Sequence, residues 1–235
     1  MTREVFYREI CDNMTMAADE SGKAYFAYGK EATDYLKQKD PALGEAIEKI
    51  GHVRCEIVPD LFAAMVFIII GQQISIAAQE TVWQRLKAKL GDITPEAVLR
   101  SGIEKVQSCG TSFKKAEYIC GFAAQVHAGE FDIHALHEMS DKDVIAALSA
   151  VRGIGEWTAE MLMLFSMNRM DVFSFGDIAI HRGLRMLYHH RRVDRKLFEK
   201  YRRRYAPYGS VASLYIWEIA CGAIEGMKDY APKGG

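Results

Sequence analysis

The chain has 235 residues, 49% hydrophobic and 26% charged, enough for one large domain or two small ones and too apolar for a disordered chain. Basic and acidic residues nearly cancel, for a net charge of −1. Bulk charge therefore excludes a generally basic nucleic-acid binder, and any such affinity must come from a local patch.

The N-terminus, MTREVFYREI, has no apolar stretch of the signal-peptide kind. Residues 1–30 carry Phe6, Tyr7, Tyr25, Phe26 and Tyr28 with Gly22 and Gly29, and read as an irregular segment or a strand or two packed on the core. Glu31–Lys39 and Pro41–Ile50 read as helices, with Pro41 suited to a first helical position. Asp60 can cap Leu61–Ile70, which is apolar all round. At ten residues it is too short to span a bilayer, so a buried core helix is expected and no membrane partner. Gly71-Gln72-Gln73-Ile74-Ser75 interrupts it, and Ile76–Leu90 is an amphipathic helix ending before Gly91. Thr94 caps a short helix to Ser101, with Pro95 at its first position. Phe113–Val126 is helical, and Glu130–Ser140 is a linker with a short turn.

Asp141–Ala150 reads as a helix with Val144, Ala147 and Leu148 on one face, after the capping signal Ser140/Asp143. Glu156–Ser166 is the next helix. Between them, Arg152-Gly153-Ile154-Gly155 allows a tight turn with Ile154 plugging the gap. The turn is either an ordinary helical corner or an anion site, because first-turn amides lack intrahelical partners and the helix dipole favours negative charge there. Asp177 precedes the helix Ile178–Tyr188 and is either a plain N-cap or a functional carboxylate; capping would fix its orientation in both cases. From His181 to Tyr205, ten lysines and arginines face only Asp194 and Glu199, a local excess that suits phosphates or a solvated surface helix. Ser210 can cap a last helix, Val211–Glu225.

No strand alternation is visible after residue 30, and there is no internal repeat or low-complexity linker. The fold class is all-α, with roughly ten helices. Cys11, Cys55, Cys109, Cys120 and Cys221 are odd in number and unpaired in spacing, against both a disulfide framework and a zinc site. His52, His127, His134, His137, His181, His189 and His190 show no metal-site spacing and read as surface residues.

The run G-I-G-E-W-T-A, the twenty residues from Trp157 to Asp177 and the sequence D-I-A-I-H-R-G-L resemble the helix-hairpin-helix (HhH-GPD) DNA glycosylases. Asp60–Ala78, Gly110–Ile119 and Ala206–Trp217 extend the resemblance, which is nearest to the 3-methyladenine DNA glycosylase II (AlkA-type) branch in a short form. It implies two helical layers around a cleft, in a single catalytic unit over 1–235. A central subdomain at about 52–165 would hold the hairpin at 141–166, and 1–51 would pack with 166–235.

The resemblance also implies roles. Gly153, Ile154, Gly155 and Thr158 would form the DNA-binding hairpin, with a monovalent cation on the Val151 and Gly153 carbonyls and no catalytic metal. Asp177 would be the catalytic carboxylate, and Trp157 and Met161 would line the base pocket. Bifunctional members carry at the position of Trp157 a lysine that forms a Schiff base. Tryptophan implies a monofunctional enzyme without lyase activity, and its ring suits a cationic base. The plain alternative for Trp157 is an apolar staple between hairpin and core. Gln72, Gln73 and Ile74 would form the minor-groove wedge, although the family's pattern has an apolar residue where Gln73 stands, and an aromatic one where Met161 stands. Tyr25 or Phe26 is available to supply that aromatic.

Only Cys221 lies past Cys120, so no iron–sulfur cluster is implied. The expected activity is flipping and excision of alkylated purines, of the 3-methyladenine and 7-methylguanine type, from duplex DNA in base excision repair. The protein would be monomeric and intracellular, in a bacterial nucleoid (cytoplasmic) or a nucleus. The alternatives are a non-catalytic helix-hairpin-helix repair accessory protein, with no reason to hold Asp177 at this spacing, and a glycosylase of the same fold for another damaged base.

Overall fold

The computed structural model describes residues 24–232; Phe6, Tyr7, Cys11 and Gly22 lie outside the described residues. Eleven α-helices are present among these, with one pair of two-residue strands and one 3-10 turn, His134–Glu138. The fold is all-α. The described residues divide into two compact units, Val58–Met167 and a second formed by 24–57 with 168–232.

The Val58–Met167 unit contains α3 (Leu61–Gly71), α4 (Ile76–Leu90), α5 (Pro95–Gln107), α6 (Phe113–His127), α7 (Asp141–Ser149) and α8 (Glu156–Phe165). Helix α3 is its centre, packing against α4, α6 and α8. The sequence forces this: nine of its eleven residues are buried, so no face is left for water. Each Ile or Leu so buried contributes about 1.5–3 kcal/mol. Asp60 caps α3, accepting from the Ala63 amide at 2.7 Å. Helix α5 runs past the expected end at Ser101, because Gly102 takes a left-handed φ of 72° and the helix resumes after the kink.

The other unit contains α1 (Lys30–Lys39), α2 (Pro41–Ile50), α9 (Ile178–Tyr188), α10 (Arg195–Tyr205) and α11 (Gly209–Cys221). Its strands, β1 (Ala24–Tyr25) and β2 (Glu56–Ile57), pair antiparallel. Helix α11 is the central element, against α9, α2, α10 and α1. Helices α9 and α11 cross closely at Gly183, where a Cβ would overlap the Ile216 carbonyl.

Ser210 is not a cap: it lies buried inside α11, donating to the Arg169 carbonyl at 2.6 Å and accepting from the Val172 amide at 2.9 Å. Helix α11 stops at Cys221 and not Glu225, because Gly222 turns left-handed with φ 90°. His181 and His190 are half-buried rather than surface residues. The His181 ring donates to the Phe175 carbonyl at 2.8 Å and stacks on Phe198, and His190 bonds the Tyr201 hydroxyl at 2.7 Å. No helix among the described residues is long and apolar enough to cross a membrane.

Candidate active site

The hairpin joins α7 to α8. Ser140 caps α7, accepting from the Asp143 amide at 3.3 Å while its hydroxyl donates to the Asp143 carboxylate at 2.6 Å. After α7 the chain turns on the bond from the Ile154 amide to the Val151 carbonyl, 3.1 Å. Ile154 is buried and fills the corner. Gly153 has φ 91°, and a Cβ on it would overlap the ring of Tyr118. The arginine Arg152 and the lysine Lys114 both lie over that ring, at 5.6 and 5.8 Å from its centroid. Gly155 supplies no capping side chain to α8. The result is a helix N-terminus without a side-chain cap, in a turn that carries exposed Arg152, with exposed Lys114 of α6 over the same Tyr118 ring, which suits an anion.

The loop after α3 is tied to this hairpin. Gln72 donates its side-chain amide to the Gly153 carbonyl at 3.1 Å and to the Thr158 hydroxyl at 3.2 Å. Lys115 donates to the carbonyls of Ile70 at 2.8 Å and Gln72 at 2.5 Å, a cation on the C-terminal dipole of α3. Burial lowers the Lys115 ammonium below its ordinary range. Of the three expected wedge residues, Gln72 is thus committed to the hairpin and Ile74 is half-buried. Gln73 stands exposed with a left-handed φ of 59°. Lys115 was missed by sequence reasoning, since its carbonyl partners lie over forty positions away. So was Phe113, two residues earlier, whose ring is 57% exposed.

Trp157 is half-buried in the first turn of α8. Met161, one turn on, is only 3% exposed, so its thioether presents little surface. Thr158 is buried with its hydroxyl bonded to Gln72, so its backbone is the part the hairpin can offer. Neither proposed substitute aromatic is open: Phe26 is buried, and Tyr25 carries the Arg54 guanidinium 4.3 Å over its ring.

Asp177 belongs to the other unit and is 1% exposed. Its Oδ1 accepts from the amides of Ala179 at 2.8 Å and Ile180 at 3.0 Å, so it caps α9. The indole of Trp217, on α11, donates to the same oxygen at 3.4 Å. Capping thus orients the carboxylate, and the N-terminal dipole of α9 favours its charge. The next residue, Ile178, is 57% exposed, an apolar side chain at the surface beside it. The link from Trp217 to Asp177 was not revealed by the sequence.

Among the described residues no group of three or more histidine, cysteine or carboxylate side chains is placed to hold a metal. Cys55, Cys109 and Cys120 are buried, which pushes their thiols up, and they are free, as is Cys221. The Val151 carbonyl already accepts from Ile154, and that of Gly153 from Gln72. Each of these oxygens keeps one lone pair beyond those bonds.

The sequence pattern of the HhH-GPD superfamily of base excision DNA repair proteins matches residues 66–207. DNA-3-methyladenine glycosylase 1 of Schizosaccharomyces pombe is 28% identical over 68% of this chain and 72% of its own length. The DNA-3-methyladenine glycosylase of Bacillus subtilis is 26% identical over 78% of this chain and 65% of its own. The crystal structure of a DNA-3-methyladenine glycosidase from Bacillus halodurans is 34% identical, with a TM-score of 0.70 over 83% of this chain and 92% of that one. The chain, with its glycine hairpin and capped aspartate, belongs to the HhH-GPD superfamily of base excision DNA repair proteins.

Proposed function

We propose that this chain is a monofunctional DNA glycosylase, one catalytic unit that flips alkylated purines out of duplex DNA and releases them. The observation that carries the reading is Asp177, a buried carboxylate held by two backbone amides and an indole, twenty residues after a tryptophan. Such a group, placed and dry, suits stabilisation of a developing cation. The names of its relatives, which are 3-methyladenine glycosylases, support the substrate class.

In this mechanism the α8 N-terminus, flanked by Arg152 and Lys114, holds a backbone phosphate. Gln73 enters the space left by the flipped base. Trp157 stacks on the base, its π face attracting the positive charge that alkylation creates. The bond from the sugar C1′ to the base nitrogen breaks, and its electron pair goes to the base, which leaves neutral without needing a proton. Asp177 stabilises the oxocarbenium-like sugar. Water attacks C1′ and gives its proton to the carboxylate, leaving an abasic site. This chemistry calls for no organic cofactor. Trp157 offers no amine, so no Schiff base forms and no strand scission follows.

The test is base release from methylated duplex DNA by the intact chain and by Asp177→Asn. Release of 3-methyladenine or 7-methylguanine that falls about 10²–10³-fold in the variant is expected, the usual cost of one transition-state electrostatic contact. DNA binding without any release would refute the enzyme, and a borohydride-trapped covalent complex would refute the monofunctional route.

A further inference from the structure

Ten basic residues between His181 and Tyr205 cannot all be one surface, and the structure sorts them. Arg185 pairs with Asp229, Arg204 with Asp40 and Arg195 with Glu199. Arg202 donates to the Phe173 carbonyl at 3.4 Å. Arg185, Arg202 and Arg204 tie their helices into the unit, Arg195 is engaged at the surface within α10, and Arg182 is half-buried and engaged as well. Arg191, Arg192, Lys196, Lys200 and Arg203 are exposed, and none has an ion pair among the described residues.

Three of the five share one face of α10. Phe198, Tyr201 and Tyr205 are its buried side. At about 100° per residue, Lys196, Lys200 and Arg203 fall within about 60° of each other, centred opposite those aromatics. No acid interrupts them: Asp194 caps the helix, bonded to the Leu197 amide at 2.8 Å, and Glu199 is taken by Arg195. Like charges three and four positions apart weaken the helix that carries them. A merely solvated face in a chain with 30 basic and 31 acidic residues would interleave both signs.

We infer that the Lys196–Lys200–Arg203 stripe is a second DNA-backbone contact, on the unit that does not hold the hairpin, and that it binds undamaged duplex without reading sequence. This deepens the proposed function and rests on it for the choice of DNA as partner. The family membership favours a phosphate backbone over other anions, and the helix rise spreads the three charges along about 10 Å, a span over which a duplex presents several phosphates. The stripe would hold the protein on DNA while lesions are sought, leaving the reacting atoms to other residues.

The experiment is fluorescence-anisotropy binding of the full chain to an undamaged duplex across a series of salt concentrations. For K196A/K200A/R203A, the slope of log affinity against log salt should become shallower by about 2–3, near 0.9 for each lost phosphate contact. The charge-keeping K196R/K200R/R203K should retain the parental slope, and both variants should keep the parental circular dichroism and the parental base release at saturating protein. An unchanged slope in the alanine variant overturns the inference, as does equal loss in the charge-keeping one. So does alanine-sensitive binding to phosphatidylserine vesicles with the DNA slope unaltered. Loss of base release by the parent with the salt effect intact would sink the glycosylase reading alone.

Discussion

Gly153→Ala isolates what the hairpin requires of its backbone. Two costs are visible in the structure. The φ of 91° lies where an L side chain is strained, at about 1–2 kcal/mol. The new methyl would also overlap Tyr118, an overpacking worth about 1–3 kcal/mol if the ring must give way. The expected total is about 2–5 kcal/mol. For a chain of this size that lowers the thermal midpoint by very roughly 5–15 °C. The two costs separate in a double-mutant cycle with Tyr118→Ala, which removes the overlap and leaves the strain. In that background Gly153→Ala should cost only about 1–2 kcal/mol, so the coupling should be about 1–3 kcal/mol. Calorimetric melts of the four proteins measure it, and anisotropy with duplex DNA should show weaker binding by Gly153→Ala. A cost under about 1 kcal/mol, or no coupling to Tyr118, would refute this account of the turn.

Gln72→Ala and Gln73→Ala should part company, though the residues are neighbours. Gln72→Ala unties the hairpin at Gly153 and Thr158 and should lower stability by about 1–3 kcal/mol in melts, whereas exposed Gln73→Ala should leave stability nearly unchanged and slow base release. Asp40→Asn should cost about 3 kcal/mol by the same measurement, because buried Asp40 accepts from Arg204, from the Tyr188 hydroxyl at 2.8 Å and from the Leu43 amide at the start of α2. The hydrogen bond from Arg185 holds the Asp229 carboxyl below its ordinary value of 3.8, so its contribution is full above that value and is lost as the pH falls through the lower folded one. Removing the partner with Arg185→Met should therefore flatten the acid limb of a stability-versus-pH curve below about pH 4.

What was legible in the sequence follows from the range of the interactions. Caps are local: Asp60, Thr94, Ser140 and Asp177 each bond an amide two or three positions on, and each was readable from its own segment. Ser210 looks the same in sequence, yet its partners, at Arg169 and Val172, lie about forty residues back. Helix α10 was hidden for another reason, because its charges mask the apolar spacing of Phe198, Tyr201 and Tyr205. In the site, the glycine turn and the aspartate stood out because special backbone needs and capping restrict residue type. Lys115 and Trp217 did not, and Gln72 was read as a wedge and not as a tie to the hairpin, because their bonds cross 43, 40 and 81 positions. The sorting of the arginines was equally hidden, since Asp40 is 164 positions from Arg204.

Asp177 satisfies a structural need and a chemical one with the same atoms, so its identity alone does not separate them. The two needs differ in what they tolerate. A cap needs only an oxygen acceptor, and asparagine caps about as well as aspartate. Stabilising a sugar cation needs the negative charge. Asp177→Asn should therefore stay within about 1 kcal/mol of the parent, the lost charge–dipole attraction at the α9 N-terminus accounting for most of it. Its base release should nevertheless fall about 10²–10³-fold. Asp177→Ala removes the acceptor for the Ala179 and Ile180 amides as well, and should lose a further 0.5–2 kcal/mol or so with no greater loss of activity. Melting and single-turnover base release on the same preparations give both quantities. If Asp177→Asn keeps its activity, the carboxylate is a cap and nothing more, and the reacting group must be sought elsewhere.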